Sequence, residues 1–149
     1  MKLFFDTCTI IDFLCGRQNA NLVDEILMAA EEKEWECYIS VGSFYTLTYL
    51  IELHLKRNGY IDKDQRIEKL RDILTNVLST FSIADIFSDD LMESVNNNYF
   101  SDLEDSYQYK AAVKAGCNYL ITININDFKG ADTTSMEIVT PADFLPLAK

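Results

Sequence analysis

Three groups of oxygen-bearing side chains stand where apolar segments of the chain end. Asp6 closes the run Leu3-Phe4-Phe5. Asp102, Glu104 and Asp105 stand at the start of a helical stretch, Asp105 through Ala115. Asn124 and Asp127 follow Tyr119-Leu120-Ile121-Thr122-Ile123. Short apolar runs are the buried strands of α/β proteins, and ligand sites form just beyond the carboxyl ends of such strands. Acidic groups far apart in sequence can then meet at one point. Carboxylates that meet repel one another unless a cation holds them, so the pattern points to a divalent-metal site. Each group also has a structural role open to it. Asp102 with Asp105 three residues later reads as a capping pair at a helix start, where the dipole favours acids. Asp6 and Asp127 suit turns. Capping and ligation are compatible, since one carboxylate can cap while another binds.

Other chemistries have little to stand on. The chain has a single histidine, His54, so neither a Ser-His-Asp device nor a structural zinc site finds its residues. With 5 glycines there is no phosphate-cradling glycine motif. Cys8, Cys15, Cys37 and Cys117 form no C-x-x-C pair and read as reduced thiols in or near the core. Cys8, close to Asp6, reads as a small buried hydrophobe.

The elements that must position the acids follow from periodicity. Leu3 to Phe5, Trp35 to Ile39, Phe81 to Ile83, Tyr119 to Ile123 and Glu137 to Val139 read as strands. Between them lie helices. The first is short, capped by Thr7 or Thr9; the next runs from Ala20 to about Lys33. Ser40 begins a third, reaching about His54, and Asp62, then Ser88 or Asp89, begin two more. Pro141 opens a last helical turn. Strands separated by helices imply right-handed βαβ units, hence a three-layer α/β/α sandwich with a mostly parallel central sheet. Phe44, Tyr45, Tyr49, Phe81 and Phe87 read as core aromatics.

Composition sets the outer limits. A length of 149 residues suits one domain, residues 1–149, and 48% hydrophobic with 25% charged residues is ordinary for a globular protein. No run is long enough to span a membrane, and the opening apolar run is too short for a signal peptide, so a cytoplasmic protein is expected. The net charge of −11 argues against strong nonspecific binding to nucleic acid. From Lys56 to Arg71 the balance reverses, with six bases and three acids. That segment could guide a phosphate backbone, but it also reads as a solvated helix with ion pairs such as Asp62 with Arg66.

Four segments together resemble a PIN domain, the metal-dependent ribonuclease fold of VapC-type toxins. They are Phe4-Phe5-Asp6-Thr7, Ile39-Ser40, Asp102-Leu103-Glu104-Asp105-Ser106-Tyr107-Gln108, and Tyr119 through Phe128 with Thr122, Asn124 and Asp127. Val139-Thr140-Pro141-Ala142-Asp143-Phe144-Leu145 is similar to the family's usual ending. Asp6 and Asp105 match the family's first and third acidic positions, and Asn124 the fourth, with Asp127 close by. Three positions depart from the pattern. Thr46 stands where the third helix usually carries Glu, Cys8 where Asn is usual, and Ile123 where Arg is usual. These departures lower the charge available to hold a second ion.

The resemblance implies an endoribonuclease using Mg²⁺ or Mn²⁺, the toxin of a type II toxin–antitoxin system. It also implies a homodimer and a small antitoxin whose peptide blocks the acidic groove. Mg²⁺ keeps several waters, so Asp6 and Asp105 suffice as a first pair of ligands, with Asn124 and Asp127 completing the set directly or through water. Asp6, Asp105 and Asp127 are the candidates for the base that orients or deprotonates the attacking water. Asp102 and Glu104 would accept hydrogen bonds around them. Ser40, Ser43 and Thr46 would bind a water or orient a carboxylate, and Thr7 and Thr122 flank the ligands. Thr46 and Asn124 in place of acids motivate an alternative: a degenerate PIN-fold module that binds a protein partner and cuts nothing.

Overall fold

The computed structural model describes residues 1–149. The chain runs β1 (Lys2–Phe5), α1 (Thr7–Leu14), α2 (Ala20–Glu32), β2 (Glu36–Ser40), α3 (Val41–Arg57), α4 (Lys63–Thr80) and β3 (Ser82–Ala84). It continues through α5 (Ser88–Val95), α6 (Leu103–Lys114), β4 (Tyr119–Ile121), a 3₁₀ turn (Ile125–Phe128), β5 (Glu137–Val139) and α7 (Pro141–Ala148). The strands form one five-stranded sheet in the order β3-β2-β1-β4-β5, and every neighbouring pair is parallel. The sheet expected to be mostly parallel is therefore wholly so.

Alternation along the strands builds two cores. Leu3, Phe5, Ile39 and Ile121 point to one face and pack against α1, α2, α3, α4 and α7. Phe4 and Leu120 point to the other and meet Ala111 and Ala112 of α6. The small side chains on α6 let that helix lie close to the sheet. Burial of each Phe or Leu contributes about 1.5–3 kcal/mol, which is what holds the layers together. No helix is long and apolar enough to cross a membrane.

The strand order reverses at β1. Its successors β2 and β3 lie on one side, while β4 and β5 lie on the other. Loops leaving β1 and β4 diverge there and open a crevice at the carboxyl edge of the sheet, where ligands of such folds bind.

Several local expectations are corrected. Asp6, rather than Thr7 or Thr9, caps α1, because its side chain reaches Thr7 N–H. α6 begins at Leu103, two residues before Asp105, because Asp102 accepts from Glu104 N–H and starts the turn early. β4 ends at Ile121, because Thr122 Oγ1 accepts from Asn124 N–H and bends the chain away. Arg66 pairs with Glu52 and caps the carbonyls of Tyr60 and Ile61, leaving Asp62 to cap α4. Tyr45, Tyr49 and Phe87 are exposed.

Thr9 ties the two strand ends at the crevice together. Its fully buried hydroxyl donates to Ile121 O (3.3 Å) and accepts from Ile123 N–H (3.2 Å). Thr9→Val keeps the shape and strands Ile123 N–H. Urea unfolding is expected to show a loss of about 1–3 kcal/mol; an unchanged unfolding curve would show that the bridge contributes nothing.

Candidate functional site

Asp6 sits at the crevice with only 3% of its surface exposed. A buried carboxylate is costly unless it is hydrogen-bonded. Oδ1 accepts from Thr7 N–H (2.8 Å), and Oδ2 accepts from Thr122 Oγ1 (2.9 Å) and Cys8 Sγ (2.8 Å). Thr122 Oγ1 also accepts from Asn124 N–H (3.0 Å), so the hydroxyl bridges the loop to Asp6. Thr7, Thr122 and Cys8 thus fix the carboxylate's orientation.

Thr7 is itself braced from beneath. Gln108 Nε2 donates to Thr7 Oγ1 (3.2 Å), Thr7 Oγ1 and Ser43 Oγ lie 2.6 Å apart, and Ser43 Oγ donates to Gln108 Oε1 (3.0 Å). Ser40 Oγ accepts from Ser43 N–H and donates to Ser43 Oγ. With the Gln108 amide in this orientation, Ser43 spends its proton on Oε1, and Thr7 donates to Ser43. The ring locks α1, α3 and α6 together. Ser40 and Ser43 were expected to reach a water or a carboxylate in the site. They are buried in this ring instead, since a capping Ser turns its oxygen back on its own helix.

A cleft of about 350 Å³ opens above Asp6. Its walls include Thr46, Asp102, Glu104, Asp105, Asn124 and Asp127. The structure therefore gathers all the acids singled out in the sequence, together with Asn124 and Thr46. Asp102 is engaged as a cap. The side chains of Glu104, Asp105, Asn124 and Asp127 make no hydrogen bond and no ion pair within the chain. Asp105 is thus free of the capping-pair role open to it from the sequence.

The electrostatics record this crowding. Burial, followed by the charges of Asp6, Asp102, Asp127 and Glu104, pushes the Asp105 carboxyl up to about 7. Glu104 is raised by burial, then by Asp102 and Asp6. Asp6 is raised by burial, with Asp127 adding, against the lowering pull of its hydrogen bonds from Cys8, Thr122 and Thr7. Cys8 was expected to be an inert buried hydrophobe. It is a half-buried donor to Asp6, with its thiol pushed up to about 12 by burial and then by the Asp6 charge. It stays protonated and donates.

These donors suit a hard, hydrated cation. All are oxygens apart from Cys8, and unneutralised carboxylates face one cleft. As the side chains stand, no three His, Cys, Asp or Glu groups gather tightly enough to wrap a bare ion. One or two carboxylates with retained waters is the coordination such a set can offer, and it is the habit of Mg²⁺. Two residues without a role in the sequence reading belong here. Gln108 completes the buried ring, and Arg17 lines the cleft. Gln108 lay within a recognised segment, whereas nothing in Gly16-Arg17-Gln18-Asn19 marked Arg17 apart from a helix break.

A family model described as the PIN domain matches residues 2–126. Among solved structures, the chain is similar to one in a toxin–antitoxin complex from Klebsiella pneumoniae. The identity is 27% and the TM-score 0.58, covering 93% of this chain and 97% of the other. No curated protein matches.

Asp105 links the cleft to stability. Its carboxyl holds a proton more tightly folded than unfolded, so ionisation at neutral pH is a cost of folding. That cost is absent below the ordinary carboxylate range, grows as pH rises from about 4, and is complete above about 7. In metal-free buffer, Asp105→Asn is expected to melt above wild type at pH 7.5, by about 2–4 °C per kcal/mol relieved. The difference should shrink towards pH 5. A variant that melts below wild type at pH 7.5 would contradict the crowding.

Proposed function

The chain belongs to the PIN domain family, whose members are generally nucleases, and from that premise we propose that it is a metal-dependent endoribonuclease, the toxin of a type II toxin–antitoxin pair. The observation that carries the reading is the meeting of Asp105, Asp127 and Glu104, all without partners, above a rigidly held Asp6 at the point where the strand order reverses.

Asp6 and Asp105 would hold the ion, with Asp127 and Asn124 completing its surroundings directly or through water. A bound Mg²⁺ or Mn²⁺ supplies Lewis acidity, which activates water and offsets charge on the phosphate. The chain's own residues do the rest. Thr7 N–H, Thr122 and Cys8 aim the Asp6 carboxyl and oppose the upward push of its burial. Asp6, with three donors on it, is not free to take a proton from water. That role falls to Asp105 or Asp127, whose oxygens have no partner. Thr46 brings a neutral hydroxyl where the family usually places Glu, so the cleft carries one negative charge fewer and suits one ion better than two.

The similar chain in a toxin–antitoxin complex supports an antitoxin as partner, and a cytoplasmic location goes with the proposed RNA substrate. A homodimer has a suitable face. On and beside α5, Phe87, Leu91, Met92 and Val95 are exposed by 64, 40, 67 and 50% and share one side of the helix. Exposed apolar residues clustered in this way mark interaction surfaces. Met92→Asp with Val95→Asp is expected to halve the mass measured by light scattering; an unchanged mass would move the dimer elsewhere.

The function itself is tested on total bacterial RNA with Mg²⁺ or Mn²⁺, by mapping new 5′ ends. Wild type should cut at discrete sites and stop on chelation. Asp6→Asn and Asp105→Asn should each lose more than the roughly 10–100-fold that an outer partner of a metal ligand costs. The alternative draws on Thr46: a PIN-fold module that binds a protein without cutting. Absence of any cut by wild type with either ion, alongside retained partner binding, would establish that alternative.

A further inference from the structure

An acidic cleft repels the backbone it would cut, and a chain of net charge −11 offers no general attraction to offset this. One base lines the cleft, Arg17. It shares the cleft lining with Asp6, Glu104, Asp105 and Asp127, yet no carboxylate lies within ion-pair distance of it and its side chain makes no hydrogen bond. Its guanidinium is solvent-exposed while its backbone is pinned. Arg17 N–H donates to Asp12 O (2.8 Å) after a left-handed turn at Gly16 (φ 62°). The buried Asp12 carboxylate closes the loop by accepting from Asn19 N–H (2.8 Å) and Asn19 Nδ2 (2.9 Å). A buried acid is thus committed to holding the segment that presents a free guanidinium. Ile123, which also lines the cleft, occupies the place where the resemblance expects Arg.

We propose that Arg17 binds a backbone phosphate of the RNA beside the scissile one, supplying from the α1–α2 loop the cation that Ile123 does not. The proposal rests on the nuclease reading. A guanidinium pairs with phosphate through two parallel N–H bonds, and such contacts position a strand without reading its sequence.

The test is single-turnover cleavage of total bacterial RNA by the full chain with Mg²⁺, followed by primer extension at the principal cut. Arg17→Ala should raise the half-saturating enzyme concentration roughly tenfold and leave the maximal rate within about twofold. The salt dependence of the second-order rate should become shallower by about 0.7 in log–log slope, one phosphate contact on a single strand. Arg17→Lys should restore the slope. Lys149→Ala, at the end of α7 and outside the cleft, should match wild type, and melting curves confirm that each variant is folded. Unchanged half-saturation and slope in Arg17→Ala would overturn the proposal, as would a fall in maximal rate alone. Absence of any cut by wild type would sink the nuclease reading, and this inference with it.

Discussion

One buried carboxylate sets the terms for the rest of the molecule. Asp6 caps α1, receives Thr122 from beyond β4, and forms the floor of the cleft. Its burial is tolerable because backbone N–H, hydroxyl and thiol all donate to it. Those donors exist only if β1 and β4 lie side by side and α1 leaves the sheet at the right angle. The fold and the site are therefore specified by the same contacts. Beneath them, the closed ring of Thr7, Ser43 and Gln108 couples α1, α3 and α6. Uncharged residues hold the floor still, and the acids above are left free to bind.

Much of this was legible in the sequence. Apolar runs ending in acids located β1 and β4, and alternation with helical segments gave a layered parallel sheet. Asp6, Asp105, Asn124, Asp127 and their neighbours then had to meet at the carboxyl edge, which is where the cleft lies. What stayed hidden depended on partners remote in sequence. Asp6 takes its hydroxyl donor from Thr122, which lies 116 residues further along the chain. Ser40 and Ser43 carry the hydroxyls expected of site residues, but a capping geometry invisible to composition turns them inward. Arg17 sits in a loop whose glycine announced a turn and nothing more. Tyr45 and Tyr49 read as core aromatics, yet α3 buries a different face, led by Leu47 and Ile51.

The departures from the family pattern alter the cleft in different ways. Thr46 removes a negative charge from the cleft wall, Cys8 replaces an amide with a donor that stays protonated, and Ile123 removes a positive charge. Burial, followed by the charges of the remaining carboxylates, still pushes the Asp105 carboxyl up to about 7. A cleft arranged in this way is strained without a counter-ion and relaxed with one. Sites of this kind commonly sacrifice stability for function. The exposed, unpaired Arg17 does not relieve that crowding, since it makes no ion pair with any of the acids. It is free to meet an anion that arrives from outside.

The central claim is that distant acids share one hard cation. Crystals grown with Mn²⁺ and measured at the manganese absorption edge address it most directly. An anomalous peak in the cleft, coordinated by Asp6 and Asp105 with Asp127 or Asn124 alongside, is the expected result. A map with no peak there, or with manganese bound only elsewhere on the surface, would contradict it.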